Sequence, residues 1–122
     1  MKLLIIDDDE MVRSTLRYFF QHNYEVYEAG NGKEGLEVLA REQIPLVLLD
    51  YQMPVMNGIE TLLVIKRDHP GVQVCMMSAE HSCHFREDVI SYGSYDFIRK
   101  PFDLNEVKAV LKNMEENNTK VN

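Results

Sequence analysis

The sequence has few of the residues that mark specialised protein classes. It contains two cysteines, Cys75 and Cys83, no tryptophan and four prolines in 122 residues. Two cysteines without a paired spacing do not predict a disulfide framework, and they favour a reducing compartment. No apolar run approaches the length that crosses a membrane, and no leader of the signal-peptide type precedes the first apolar run. We therefore expect a cytoplasmic protein without membrane attachment.

Positive charge is also scarce. Thirteen Lys and Arg residues stand against 20 Asp and Glu residues, which gives a net charge of −7. Binding to nucleic acid through phosphate contacts needs the opposite balance, so we do not expect this segment to bind nucleic acid directly. A local phosphate site remains compatible with the charge, because a bound cation can reverse the sign there.

Apolar runs alternate with helical patterns five times along the chain. The runs that predict strands are residues 3–6, 26–27, 46–49, 72–77 and 95–98. Alternation with short connections predicts one α/β domain, a parallel sheet with helices on both faces. From residue 115 onward the chain is polar, so we expect the domain to cover 1–116 and residues 117–122 to form a polar tail or the start of a linker.

The predicted helices differ in strength. Residues 104–114 carry a continuous apolar stripe, whereas the segment 82–92 is polar and has a thin one. In that segment Phe85, Val89 and Tyr92 share one helical face, which predicts a thinly packed fourth helix.

Side chains capable of chemistry follow four of the five predicted strands. The first strand ends at Asp7 and Asp8, the third at Asp50, the fourth at Ser78 and the fifth at Lys100. The carboxyl ends of parallel strands share one edge, so we expect these side chains to lie together. Crowded carboxylates need a bound cation or a retained proton. An all-oxygen ligand set favours Mg²⁺, or a similar hard ion such as Mn²⁺.

Carboxylate, cation, hydroxyl and ammonium together predict a site that handles a phosphoryl group. Asp50 is the best candidate for the nucleophile, because Asp7 and Asp8 would be occupied by the metal. A simpler interpretation is that Asp8 or Asp9 only caps the first helix and Asp50 only begins a turn. The glycine-rich motifs of the common nucleotide-binding loops are absent from the sequence.

These motifs resemble the receiver domain of two-component response regulators, the family of the chemotaxis response regulator. The resemblance covers residues 2–114. The segments that carry it are residues 3–9, residues 48–54 with Gly58, residues 77–79 and residues 100–102. It implies a flavodoxin-like, doubly wound fold with five strands in the order 2-1-3-4-5 and five helices.

The resemblance also implies roles for the site residues. Asp50 would accept a phosphoryl group from a phosphohistidine on a sensor histidine kinase or a histidine phosphotransfer protein. Asp8, Asp50 and the backbone carbonyl of Gln52 would bind Mg²⁺, with Asp7 acting through water. Lys100 would pair with the phosphate.

A switch is implied as well. Ser78 would bond a phosphoryl oxygen, and Phe97 would turn in behind it as the rotamer switch. The surface formed by the fourth helix, fifth strand and fifth helix would then change and control a downstream protein or an effector domain. The resemblance leaves open a homodimer that forms on phosphorylation.

Several positions depart from the common pattern of the family. Ser78 stands where threonine is more frequent, Phe97 where tyrosine is, and Ser94 where alanine is usual. Gln52 and Glu80 would flank the phosphoryl group and tune its hydrolysis. We expect Glu80 to slow phosphorylation by small anionic donors through charge repulsion.

Other interpretations stay open at this point. His81, Cys83 and His84 form a conceivable transition-metal site, but a polar loop and helix start is the simpler interpretation, because the remote second ligand pair of structural zinc sites is missing. A Mg²⁺-dependent phosphohydrolase of the haloacid-dehalogenase type would use an aspartyl nucleophile, but such enzymes carry a second Asp where Gln52 stands. A receiver-like binding module would not be phosphorylated at all. We favour the switch, which is not an enzyme for external substrates and is either free-standing or part of a longer regulator.

Overall fold

Ten elements alternate strictly between strand and helix. The computed structural model describes residues 1–79 and 85–120 of the chain. The elements are, in chain order, β1 (Lys2–Ile6), α1 (Glu10–Phe20), β2 (Glu25–Ala29), α2 (Gly32–Arg41), β3 (Leu46–Asp50), α3 (Gly58–Asp68), β4 (Gln73–Ser78), α4 (Phe85–Ser91), β5 (Asp96–Arg99) and α5 (Leu104–Lys120). Every strand predicted from the apolar runs is present. Helix α5 continues beyond residue 116, so the predicted domain boundary falls inside a helix.

All five strands form one parallel sheet in the order β2-β1-β3-β4-β5. This confirms the predicted fold class and strand order. The central strands β1 and β3 are covered on both faces, because every residue from Leu3 to Ile6 and from Leu46 to Asp50 is buried. Strand β2 lies at an edge, which agrees with its mixed composition, in which Glu25 and Glu28 flank Val26 and Tyr27. None of the described helices has the length and apolar character of a membrane span.

The sheet separates two hydrophobic layers. Leu3 and Ile5 of β1 point into the layer beneath α1 and α5, whereas Leu4 and Ile6 point into the layer beneath α2, α3 and α4. This follows from the two-residue period of a strand. Complete burial of a Leu or Ile side chain contributes about 1.5–3 kcal/mol, so these two layers hold the strand ends in place.

Helix α4 is attached through few side chains. Phe85 and Val89 are buried, but Tyr92, which shares their face in the helical pattern, is 48% exposed. Helix α4 ends at Ser91, and Tyr92 lies in the turn that follows it. The helical period therefore no longer determines where the Tyr92 side chain lies.

The start of α3 packs tightly against the end of β3. The Gly58 amide donates to the carbonyl oxygen of Tyr51 at 2.9 Å. A Cβ atom at Gly58 would lie 2.6 Å from the Asp50 carbonyl oxygen and 2.7 Å from the Tyr51 Cα. Asn57 and Glu60 form a capping box at the same helix start. Glycine at position 58 therefore lets the helix approach the strand that carries Asp50.

We predict that Gly58→Ala destabilises the fold by roughly 2 kcal/mol, because the added methyl group overlaps backbone atoms that cannot turn aside. Urea denaturation measures the change in the free energy of unfolding. Gly71→Ala is the matched control, since a Cβ atom there meets nothing within 4 Å. Equal free energies for the two variants would contradict this account of the β3–α3 junction.

Candidate functional site

The carboxyl edge of the sheet brings the predicted residues together. Asp7 directly follows β1, Asp50 and Ser78 are the last residues of β3 and β4, and Lys100 directly follows β5. Backbone hydrogen bonds extend the ladders beyond the strands at these points. The Asp7 amide donates to the Ala29 carbonyl oxygen at 3.1 Å, and the Lys100 amide donates to the Ser78 carbonyl oxygen at 2.8 Å. The main chain thus fixes where each side chain begins.

Three carboxylates converge at this edge. Asp7 is fully buried, Asp50 is 5% exposed and Asp8 is exposed. One oxygen from each lies within 4.8 Å of the other two, a spacing that a single metal ion can bridge. Asp7, Asp8 and Asp50 are the residues predicted from the sequence for a metal site. Their oxygen ligands suit a hard divalent cation.

Lys100, which follows the edge strand β5, supplies positive charge to these carboxylates. Its Nζ atom lies 2.7 Å from Asp7 Oδ2 and 3.1 Å from Asp50 Oδ1. Burial alone would lower the pKa of Lys100, but the hydrogen bonds and charges of Asp7 and Asp50 outweigh it and raise the pKa. Lys100 is therefore held as an ammonium ion between two carboxylates.

The crowding has a second effect, on Asp50. Burial and the negative charge of Asp7 raise the pKa of Asp50 to about 6, against the opposing influence of Lys100. Desolvation and like charge both disfavour the ionised form of a carboxyl group. A cation placed among these oxygens would favour the ionised carboxylate that a nucleophile requires.

Asp8 and Asp9 have different roles, which the sequence alone did not distinguish. The Asp9 side chain accepts from the Met11 amide at 2.9 Å and caps α1. Asp7 accepts from the Asp9 amide at 2.9 Å, and its carbonyl oxygen accepts from Arg13 at 2.6 Å. Asp9 is thus the capping residue, which leaves Asp8 for the carboxylate cluster.

The other predicted residues surround the cluster. Ser78 is buried at the end of β4, and Gln52 is exposed on the loop after β3. Gln52 lines an open cavity of about 420 Å³ together with Asp8 and Tyr51. Phe97 is half-buried on β5.

Two further hypotheses concern residues 80–84. The proposed rate-tuning residue Glu80 and the conceivable metal ligands His81, Cys83 and His84 lie outside the described residues, so both hypotheses stay predictions. Sequence reasoning missed the contact of Arg13 with Asp7, because an arginine on a surface helix carries no signal for a backbone contact.

We predict that Lys100→Met destabilises the metal-free protein by roughly 3 kcal/mol at pH 8, because two buried carboxylates lose their counter-ion. The substitution removes a group that lowers the pKa of Asp50, so this pKa rises further above its unfolded value. A raised folded pKa adds stability as the pH falls, and the deficit relative to wild type should therefore shrink from pH 8 to pH 5.

Urea denaturation in EDTA at both pH values measures this deficit. Lys108→Met, which removes an exposed lysine of α5, is the control and should change the free energy of unfolding by less than about 0.5 kcal/mol. A deficit for Lys100→Met that is independent of pH would contradict the electrostatic coupling of Lys100 and Asp50.

Comparisons with known proteins agree with this geometry. A model of the response regulator receiver domain family matches residues 3–112. The transcriptional regulatory protein CrdR of Helicobacter pylori is 35% identical over 113 residues, which cover 91% of this chain and 53% of that protein. The sporulation initiation phosphotransferase F of Bacillus subtilis is 32% identical over 112 residues, which cover 91% of this chain and 90% of that protein.

Solved structures show the same architecture. The receiver domain of NtrX from Brucella abortus superposes with a TM-score of 0.88 at 26% identity, covering 94% of this chain and 98% of that one. A receiver domain protein from Clostridium thermocellum gives a TM-score of 0.92 at 22% identity, covering 99% and 98%, and supports the fold alone. The chain spans about half of CrdR and most of the sporulation protein. With the family match extending over nearly all of its length, the chain belongs to the response regulator receiver domain family.

Proposed function

We propose that the chain is a phosphorylation-activated signalling switch in which Asp50 is the phosphoacceptor. The observation that carries the proposal is the position of the Asp50 carboxylate, which lies among Asp7 and Asp8 and contacts Lys100. A carboxylate oxygen of Asp50 attacks the phosphorus of a phosphohistidine. The P–N bond breaks, and the imidazole nitrogen keeps the electron pair and takes up a proton.

Mg²⁺ is the cation that we propose for the site. Asp8, Asp50 and the backbone carbonyl of Gln52 would hold it, and Asp7 supports them from its buried position. When bound, the ion neutralises charge on the phosphoryl oxygens during transfer. Mn²⁺ fits the same oxygen ligands.

Lys100 and Ser78 would hold the transferred group. Lys100 already reaches the Asp50 oxygen at 3.1 Å, so a phosphoryl oxygen on Asp50 would give this ammonium a further acceptor. The Ser78 hydroxyl, at the end of the adjacent strand, would donate to another oxygen of the group. Each side chain would therefore respond directly to phosphorylation.

The response would appear on α4, β5 and α5. Arg86 of α4 and Asp96 of β5 form an ion pair at 2.8 Å on this surface. Helix α4 buries only Phe85 and Val89 among its described residues, so it can shift at lower cost than the central strands. A histidine kinase or histidine phosphotransfer protein would donate the phosphoryl group, and a downstream protein, an effector domain or a second copy would recognise the changed surface.

We predict that incubation with acetyl phosphate and Mg²⁺ adds one phosphoryl group, about 80 Da, to the chain. Intact-mass analysis measures the gain. Asp50→Asn and the addition of EDTA should each abolish it, because the first removes the nucleophile and the second removes the cation. Asp68→Asn changes an exposed aspartate at the end of α3 and should label like wild type. Equal labelling of Asp50→Asn would exclude Asp50 as the acceptor.

We predict that Mg²⁺ stabilises the protein and that Asp8→Asn removes most of this effect. A ligand at ten times its Kd adds about 1.4 kcal/mol to the free energy of unfolding, which a thermal or urea melt detects. Asp9→Asn is the matched control, because it removes the same charge one residue away and asparagine still caps the helix. Equal stabilisation of both variants would argue against Asp8 as a ligand.

A further inference from the structure

Three aromatic rings from three parts of the fold form a continuous edge-to-face cluster beside the site. The Phe85 ring lies 4.8 Å from the Tyr51 ring with an interplanar angle of 84°. On its other side it lies 5.1 Å from the Phe97 ring at 70°. Tyr51 is the residue after Asp50, and Phe97 is the proposed switch residue on β5. Phe85, the first residue of α4, thus connects the phosphoacceptor loop with the switch.

The rings of this cluster have a favourable edge-to-face geometry and are little exposed to solvent. Phe85 is 9% exposed, and Tyr51 and Phe97 pack partly buried against the same hydrophobic layer. Edge-to-face rings at 4.5–7 Å gain stabilisation beyond their buried area, equivalent to roughly 2- to 12-fold in an equilibrium constant for each pair. Loss of the central ring would therefore remove both contacts at once.

The two outer rings rest on well-anchored backbone. The Tyr51 amide donates to the Met77 carbonyl oxygen at 2.9 Å, and its own carbonyl accepts from Gly58. Phe97 is paired with Met76 in the sheet. Phe85 instead lies on α4, which buries two of its described residues, whereas α5 of the same proposed surface buries at least four. A displacement of α4 would therefore change the contacts of Tyr51 and Phe97 together.

We propose that Phe85 is a positioning residue that couples the reaction of Asp50 to Phe97 and to helix α4. This inference rests on the proposed function. Coupling of this kind is reciprocal in free energy. A partner that binds and moves α4 would change the equilibrium for phosphorylation of Asp50 through Tyr51, and phosphorylation would move α4 through the same ring.

A double-mutant cycle on the labelling of Asp50 tests the proposal. Phe85→Leu, Phe97→Leu and the double variant are labelled with acetyl phosphate and Mg²⁺, and intact mass gives each rate. Leucine keeps much of the apolar volume but removes the ring. We expect Phe85→Leu to slow labelling, because Tyr51 loses its support, and the two changes to be non-additive by roughly 2- to 12-fold.

A second ring pair in the chain supplies a matched control. Phe19 and Phe20 of α1 contact edge-to-face at 4.9 Å and 77°. Phe20 belongs to the hydrophobic layer on the opposite face of the sheet. The same Leu substitutions at these positions should be additive for the labelling rate, although they alter stability as well. The comparison separates coupling at the site from a general loss of packing.

If Phe85→Leu does not fold, a second double-mutant cycle, with Tyr51→Leu and Phe97→Leu, tests the same proposal. Tyr51→Leu and Phe97→Leu should be coupled while Phe85 is present, since each ring contacts Phe85. Where the triple variant folds, this coupling should vanish in the Phe85→Leu background. Additive rates for Tyr51 and Phe97, with wild type labelled, would overturn the proposal and leave Asp50 as the acceptor. No labelling of wild type would contradict the proposed function and the inference with it.

Discussion

The ammonium group of Lys100 between Asp7 and Asp50 is the interaction on which this site depends. Two buried carboxylates in one place are costly unless a cation lies beside them. Lys100 supplies that charge at 2.7 and 3.1 Å, and it can do so only because β5 ends at the same edge as β1 and β3. The order and the lengths of the strands therefore determine whether Lys100 can reach Asp7 and Asp50. A shift of one residue in the register of β5 would turn the side chains of that strand to the opposite faces of the sheet.

The same crowding links stability to chemistry. Lys100 only partly offsets the burial of Asp50 and the charge of Asp7, since the pKa of Asp50 still rises to about 6. The fold thus keeps the Asp50 carboxyl group in surroundings that favour a further cation. The tight junction at Gly58 serves the same arrangement, because it holds the loop after Asp50 against the end of β3. In our proposal, Mg²⁺ neutralises this excess negative charge and so allows Asp50 to accept a phosphoryl group.

Much of this arrangement could be predicted from the sequence. The apolar runs stop abruptly at Asp7, Asp50 and Ser78, and a parallel sheet must bring such ends together. Adjacent residues were harder to assign, since Asp8 and Asp9 have the same chemistry and only the observed cap on α1 separates their roles. Contacts between distant elements could not be predicted. Helical spacing identifies Phe85 as buried, but not which rings it meets, because that depends on how α4 packs on the sheet.

The positions of the acids and the aromatic rings suggest why this fold suits a switch. Asp7 follows β1 and Asp50 ends β3, two of the three interior strands, which are buried on both faces and give the site a rigid base. The rings of Phe85 and Phe97 belong to α4 and the edge strand β5, where fewer side chains are buried. A charge change at a rigid centre can shift a weakly attached edge without disturbing the core. The proposed coupling through Phe85 requires this gradient of stability, because a helix held as firmly as β3 would not move.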